Sequence, residues 1–156
     1  MAKLQRDLSE FIGLLNSRGV EYLVVGGHAV AFHGHPRLTG DIDLLLRPIR
    51  ENAERILQVL KDFGFGNLEL GPDDFTTLER VVQLGRPPNR IDLLTSISGV
   101  SFDDAWATRV YGELGDHQVS FLGWDALIRN KTDSNRDKDR LDVKRLQAIA
   151  ARKKGA

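Results

Sequence analysis

Two carboxylates just ahead of an apolar run are the residues of this sequence best suited to chemistry. Asp41 and Asp43 precede Leu44-Leu45-Leu46, a run that predicts a buried strand. Residues i and i+2 of a strand point to the same side, so both carboxylates should project from one face. Two adjacent like charges are costly unless a cation lies between them, and ligands made only of oxygen suit Mg²⁺ or Mn²⁺. The pair therefore predicts a site for Mg²⁺ or Mn²⁺ shared with substrate phosphates.

A pair of glycines upstream could bind those phosphates. Gly26 and Gly27 follow Tyr22–Val25, which predicts a mostly buried strand, and they precede residues 29–32, which fit a short helix. Paired glycines before a helix permit tight backbone geometry and leave N–H groups free to cradle a phosphate. One short segment thus combines a candidate phosphate-binding turn with a carboxylate pair.

The spacing of these groups resembles the signature of a known superfamily. Gly26-Gly27, a gap of thirteen residues, and Asp41-x-Asp43 between apolar residues resemble the polymerase-beta-like nucleotidyltransferase superfamily. The longer string GGHAVAFHGHPRLTGDIDLLL is similar to its minimal prokaryotic branch, which includes abortive-infection-type nucleotidyltransferase toxins. The second glycine stands where many superfamily members have serine, a substitution tolerated in this branch. The resemblance implies transfer of an NMP from an NTP to an acceptor hydroxyl or similar group, with release of pyrophosphate.

A third carboxylate completes the metal site in the resembled superfamily, and Asp92 is the best candidate here. Asp92 lies between apolar neighbours in the string RIDLL, where a charged side chain is unusual unless it is paired or binds a metal. The resemblance implies that Asp41, Asp43 and Asp92 are catalytic and together hold two metal ions. The alternative for Asp92 is structural, as a cap of a turn or as a partner of Arg90.

The C-terminal string LIRNKTDSNRDKDRLDVKRL resembles the late motif of the same branch. Matched by position, the motif implies phosphate-binding roles for Lys131 and Arg136, because cations there could reach a triphosphate. Asp139 and Asp142 lie three apart on a predicted helix, hence on one face, where they could pair with Lys131 or Arg136. An ordinary charge network therefore remains an alternative to phosphate binding.

The stretch between the glycines and the carboxylates holds five further polar residues of interest. Arg37 and Thr39 match the branch, and either a structural or a phosphate-binding role would fit them. The histidines His28, His33 and His35 could suggest a transition-metal site, but His28 and His33 are five apart, a poor spacing for one helical face. His33 and His35 lie beside a proline turn, so we expect local hydrogen bonds there rather than zinc.

Helical and strand patterns alternate along the rest of the sequence. The predicted elements are a helix ending before Gly19, the strand and short helix around the glycines, the strand ending at Leu46, a helix between Pro48 and Gly64, strands over 80–84 and 90–95, a helix over 102–107, a hairpin of 109–114 and 117–122, and helices over 124–131 and 138–152. They predict an α+β fold, a nucleotidyltransferase-like mixed β-sheet with helices packed against it, in a single domain spanning residues 1–156.

Composition excludes several other classes of protein. At 156 residues, with 41% hydrophobic and 28% charged residues, the sequence describes an ordinary globular protein. The absence of cysteine excludes disulfides, thiolate zinc sites and a cysteine nucleophile. No apolar run approaches membrane length and the N-terminus lacks a signal-peptide core, so we expect a cytoplasmic location. Basic and acidic residues balance at 22 each, although residues 129–154 hold ten Lys or Arg against four Asp.

Three functional hypotheses follow. The first is a metal-dependent nucleotidyltransferase that uses an NTP, with RNA, a protein side chain or a small molecule as the acceptor. The second is a binding protein that keeps the fold and acts with a partner protein as one component of a toxin–antitoxin pair. The third, a nucleic-acid-binding module that uses the basic C-terminal helix, is disfavoured by the zero net charge.

Overall fold

The computed structural model describes residues 5–36, 40–86 and 89–155 of the chain. Its elements are α1 (Arg6–Ser17), β1 (Tyr22–Val25), α2 (Gly26–Phe32), β2 (Ile42–Leu46), α3 (Arg50–Asp62), β3 (Val81–Leu84), β4 (Ile91–Leu94), α4 (Phe102–Ala107), β5 (Val110–Leu114), β6 (His117–Phe121), α5 (Trp124–Ser134) and α6 (Asp137–Gly155). A 3-10 helix over Pro72–Phe75 joins α3 to β3. None of the helices in these ranges is long and apolar enough to cross a membrane.

The element boundaries differ from the predicted ones at a few positions. β2 begins at Ile42, so Asp41 stands one residue before the strand. α3 begins at Arg50 instead of Pro48, because the backbone at Ile49 is still extended. α5 runs to Ser134 and ends where Asn135 adopts a left-handed conformation with φ 51°. Each difference is a local effect of the backbone, and the predicted order of helices and strands is otherwise observed.

One mixed sheet organises the described residues, in the strand order β3-β4-β2-β1-β6-β5. β2 runs parallel to β4 and β1 runs parallel to β6, whereas the other neighbours are antiparallel. The predicted α+β fold with a mixed sheet is therefore confirmed. The parallel pair β2–β4 requires a crossover connection, which α3, the 3-10 helix and the edge strand β3 supply.

Helices cover both faces of the sheet and create two cores. α1 and α3 pack on one face, over strand residues that include Val24 and Leu44. α2, α4, α5 and α6 contribute to the core on the other face, over strand residues that include Leu23 and Leu45. Side chains alternate along a strand, so Asp43 shares the face of Leu45 and points toward the layer of α2, α5 and α6.

Candidate active site

The pairing of β2 with β4 brings the predicted carboxylates together. Asp43 and Asp92 are direct partners in the parallel register, and Ile42 pairs with Ile91 one step earlier. Asp41 precedes Ile42, and its Oδ1 accepts a hydrogen bond of 3.1 Å from the backbone N–H of Arg90. Three carboxylates therefore lie at the start of two adjacent strands. The crossover through α3 brings Asp92 next to Asp41 and Asp43, although it lies about fifty residues later in the sequence.

Asp43 and Asp92 are in direct contact. Burial, the charge of Asp92 and a hydrogen bond between the two carboxyl groups raise the pKa of Asp43 to about 6, against the opposing charges of Arg90 and Lys138. Asp92 is only 7% exposed. Two carboxylates this close repel each other, and this repulsion favours the neutral form of Asp43 when no cation separates them.

Arg90 supplies a cation to this cluster. Its Nε and one terminal nitrogen donate hydrogen bonds of 2.8 and 3.1 Å to the two carboxylate oxygens of Asp92. A guanidinium nitrogen of Arg90 also lies 3.6 Å from Oδ2 of Asp41. The sequence left open a structural role for Asp92 as a partner of Arg90, and this pairing is present. Asp92 contacts Asp43 at the same time.

Gly26 gives Asp43 the room that its side chain needs. The backbone of Gly26 has φ +65°, and a Cβ at this position would lie 2.2 Å from Oδ2 of Asp43. No side chain larger than hydrogen fits there without displacing the carboxylate. Gly27 follows in the first turn of α2. Gly26, the first residue of the glycine pair, therefore lies directly against Asp43.

A cleft with a volume of about 560 Å³ opens beside Gly26 and Asp43. One wall comes from α5 and the residues after it, and another from the ends of β3 and β4. The residues that line the cleft are Val25, Gly26, Asp43, Glu79, Arg80, Val81, Leu94, Ser96, Ile97, Ser98, Asn130, Lys131, Ser134 and Arg136. This size is within the range of small-molecule and nucleotide sites.

The α5 wall of the cleft carries the predicted phosphate-binding cations. Lys131 is 4% exposed, and its Nζ lies 3.3 Å from Oδ1 of Asp139 and 3.1 Å from Oδ2 of Asp142. Arg136 presents a largely exposed guanidinium whose Nε donates a 2.7 Å hydrogen bond to Asp139. Ser134 donates a further hydrogen bond of 2.6 Å to Asp139. The charge network that the sequence offered as an alternative therefore exists, with Lys131 and the two aspartates in its buried part.

Electrostatics link this network to the carboxylates. Hydrogen bonding to Asp139 raises the pKa of Arg136, and the charges of Asp139 and Asp43 add to the effect. Burial alone would raise the pKa of Asp139, but hydrogen bonds from Arg136 and Ser134 and the charge of Lys131 hold it well below its usual value. The guanidinium of Arg136 thus lies close enough to Asp43 for their charges to interact.

The donor set fits a hard divalent cation. Asp41, Asp43 and Asp92 offer only carboxylate oxygens, and the glycine at position 26 keeps the space beside Asp43 open. Among the described residues, no three His, Asp or Glu side chains already stand around a common point as metal ligands do. Arg90 instead lies against Asp41 and Asp92. The three carboxylates therefore match the ligand chemistry of Mg²⁺ or Mn²⁺, and the Arg90 side chain lies among them.

The remaining predicted residues lie elsewhere or outside the described ranges. Arg37 and Thr39 lie outside the described residues. His33 donates a 2.8 Å hydrogen bond from Nε2 to the carbonyl of Leu122, and His35 accepts one of 3.2 Å from Arg145. Both histidines form hydrogen bonds as expected, but with residues distant in the sequence instead of local ones. Burial lowers the pKa of His28. Sequence analysis missed the cleft residues Ser96, Ser98 and Asn130, because isolated polar residues at loop and helix positions give no spacing signal.

Comparison with known proteins identifies the family. Residues 4–156 match a family model described as nucleotidyl transferase of unknown function (DUF2204). The chain belongs to this family. Membership confirms the nucleotidyltransferase resemblance seen in the sequence, whereas the toxin branch stays a prediction. No curated protein matches the sequence.

Solved structures share the fold. The lincosamide antibiotic adenylyltransferase LnuA, in its lincomycin-bound form, has a TM-score of 0.61 and 17% identity, over 96% of this chain and 99% of that one. A putative nucleotidyltransferase from Thermotoga maritima has a TM-score of 0.55 and 16% identity, over 96% and 89%. ANT(2″)-Ia, in complex with adenylyl-2″-tobramycin, has a TM-score of 0.56 and 13% identity, over 92% and 87%. The chain thus shares its fold with these three proteins.

Proposed function

We propose that the protein is a metal-dependent nucleotidyltransferase that transfers an NMP from an NTP to a hydroxyl of a small molecule, with release of pyrophosphate. One observation carries the proposal: Asp43, which is paired with Asp92, lies against Gly26 in the lining of a cleft of about 560 Å³ that Lys131 and Arg136 also line. One carboxylate of the metal site and the cations for a triphosphate therefore line one space of nucleotide size.

The residues divide the reaction between two sides of the cleft. The backbone N–H groups at Gly26 and Gly27, with Arg136 on the α5 wall, hold the β- and γ-phosphates. Lys131 also lines the cleft, but its ammonium is paired with Asp139 and Asp142, so it holds the α5 wall in place. Divalent ions held by Asp41, Asp43 and Asp92 would offset the charge that develops on the attacking and leaving oxygens.

The transfer itself is a single displacement at the α-phosphorus. The acceptor oxygen forms a bond to that phosphorus while the bond from phosphorus to the oxygen bridging to the β-phosphate breaks, and pyrophosphate leaves. The proton of the acceptor hydroxyl passes to the Asp43–Asp92 pair. Asp43 can act as the general base there, because its carboxylate lines the cleft in which the acceptor hydroxyl would bind.

The acceptor is a small molecule on two grounds. The cleft combines apolar wall residues such as Leu94 and Ile97 with polar ones such as Ser96 and Ser98, which suits a compact hydroxylated ligand. The chain carries no net charge, and a polynucleotide acceptor would need a broad basic surface. Lincomycin and tobramycin, which occur in the names of two structural neighbours, are the first compounds to test.

The test supplies each α-labelled NTP with Mg²⁺ or Mn²⁺ and follows the label. Lincomycin, tobramycin, a small-metabolite extract, total RNA and total protein are offered as separate acceptors. We expect label in a small-molecule fraction, pyrophosphate in equal amount and no transfer by Asp43→Asn. Lys144→Ala changes an exposed residue outside the cleft and should retain the activity. Label in RNA or protein alone would change the acceptor class, and no transfer from any NTP would refute the proposal.

A toxin–antitoxin role with a partner protein stays a prediction of the sequence resemblance. A separate experiment tests this role by expressing the chain alone. A toxin should arrest growth, and an antitoxin should relieve the arrest caused by a neighbouring gene product.

A further inference from the structure

The two strands that carry the carboxylates present a small grid of four charged side chains. Asp43 and Asp92 form one row of the grid, as partners in the parallel register. Asp41 and Arg90 form the row before it, joined by the hydrogen bond from the Arg90 backbone to Asp41 and by that from the Ile42 N–H to the Arg90 carbonyl. Three negative charges and one positive charge thus share one face of the sheet.

The guanidinium of Arg90 occupies the oxygens that a metal would need. Its two hydrogen bonds to Asp92 use both carboxylate oxygens, at 2.8 and 3.1 Å. The same guanidinium lies 3.6 Å from Asp41. Bidentate pairs between arginine and a carboxylate are among the stronger side-chain interactions in proteins. Each Asp92 oxygen keeps a further lone pair, but the guanidinium places a positive charge beside both oxygens, so a divalent ion at Asp92 competes with Arg90.

From this arrangement we propose that Arg90 is an internal counter-ion of the metal site, which keeps the carboxylates assembled without metal and is displaced from Asp92 when a divalent cation binds. The inference rests on the proposed function, because it concerns the same divalent ion. Arg90 is a positioning residue here: it acts on Asp92 and Asp41 and needs no contact with the nucleotide.

Two consequences separate this role from a purely structural salt bridge. Competition between the guanidinium and the metal lowers the metal affinity of the wild-type protein, so loss of the guanidinium should raise it. The backbone bond from Arg90 to Asp41 does not depend on the side chain, so substitution should leave the strand register intact. A structural salt bridge would predict the opposite result, a looser site with weaker metal binding.

The experiment measures binding of Mn²⁺ alone, by electron paramagnetic resonance and calorimetry, without nucleotide. We expect Arg90→Gln to bind Mn²⁺ about tenfold or more tightly than wild type, since the competing hydrogen bonds join charged groups. Without metal the variant should melt below wild type, and saturating Mn²⁺ should raise its melting temperature by more than it raises that of wild type.

Lys138→Gln is the matched control. Lys138 is exposed and acts on Asp43 through its charge, so its loss removes one positive charge from the same surroundings. We expect a smaller gain in Mn²⁺ affinity there than in Arg90→Gln. If the two gains are equal, general electrostatics explains the effect and the counter-ion role is refuted. Weaker Mn²⁺ binding in Arg90→Gln would refute it as well.

If Arg90→Gln fails to fold, Arg90→Lys is the second variant, because it keeps the positive charge. Lysine cannot form the bidentate pair, so Mn²⁺ should still bind more tightly than in wild type, and affinity equal to or below that of wild type would overturn the proposal. Absence of Mn²⁺ binding in wild type and all variants would overturn the metal-dependent function together with this inference. Binding in wild type with no gain in the variants would overturn the inference alone.

Discussion

Lys131 offers the sharpest test of how the cleft is built. Its ammonium lies 3.3 Å from Asp139 and 3.1 Å from Asp142, and the side chains of the three residues are 5%, 1% and 3% exposed. Removal of one partner from a buried ion pair costs about 3–5 kcal/mol, because the remaining charge stays out of water without its counter-ion. Asp139 keeps its bonds from Arg136 and Ser134, so the lower end of that range applies.

We therefore expect Lys131→Ala to lower the free energy of unfolding by about 3 kcal/mol. For a chain of this size, that loss corresponds to a fall in melting temperature of about 6–12 °C. Lys131→Arg should also destabilise the protein, because the longer planar guanidinium must fit a site that is 4% exposed. Urea denaturation at pH 7 without metal measures both changes, with Lys144→Ala as an exposed control expected to stay within about 0.5 kcal/mol.

A compensating variant decides whether charge is the cause. Lys131→Met keeps much of the side-chain volume and should lose nearly as much stability as Lys131→Ala. Combining Lys131→Met with Asp142→Asn removes both members of the pair and should recover a large part of the loss. Unchanged stability in Lys131→Ala, accompanied by weaker NTP binding, would refute this reasoning and assign the ammonium to phosphate binding.

Three further predictions concern single substitutions, with stability measured without metal and transfer measured with it. Asp43→Asn should abolish transfer and raise the free energy of unfolding by about 1–2 kcal/mol at pH 8. The pKa of Asp43 is raised from 3.8 to about 6, so its ionised form costs the fold at most about 3 kcal/mol, and partial exposure reduces this cost. Below pH 4 the carboxyl group is protonated, so the gain in stability should vanish in urea melts there. Gly26→Ala should lose more activity than Gly64→Ala, because both have positive φ but a Cβ at position 64 meets nothing within 4 Å; equal losses would show that backbone strain alone matters. Asp139 has a lowered pKa, so its ionised form stabilises the fold above about pH 4, and this stability is lost as the pH falls further. Arg136→Gln removes one cause of the lowered pKa and should make stability less sensitive to acid. If stability depended on pH as in wild type, the bond from Arg136 would not be a cause of the lowered pKa.

Local patterns in the sequence predicted most of the elements. Periodic apolar residues, glycine positions and turn residues act over a few residues, so they define helices and strands without knowledge of the fold. The Asp41-x-Asp43 spacing, likewise, places two carboxylates on one side of a strand wherever that strand lies. The family resemblance added Asp92, which spacing alone could not connect with the other two.

Tertiary structure decided which charges meet. Asp43 and Asp92 touch because β2 and β4 are parallel neighbours, a pairing set by the crossover between them and by the cores on both faces of the sheet. The burial of Lys131 depends on the packing of α6 against α5, which a local charge pattern cannot distinguish from a solvated helix face. The contacts of Arg90 also come from strand pairing. Electrostatic interactions depend on distance and burial, and only the assembled fold fixes both.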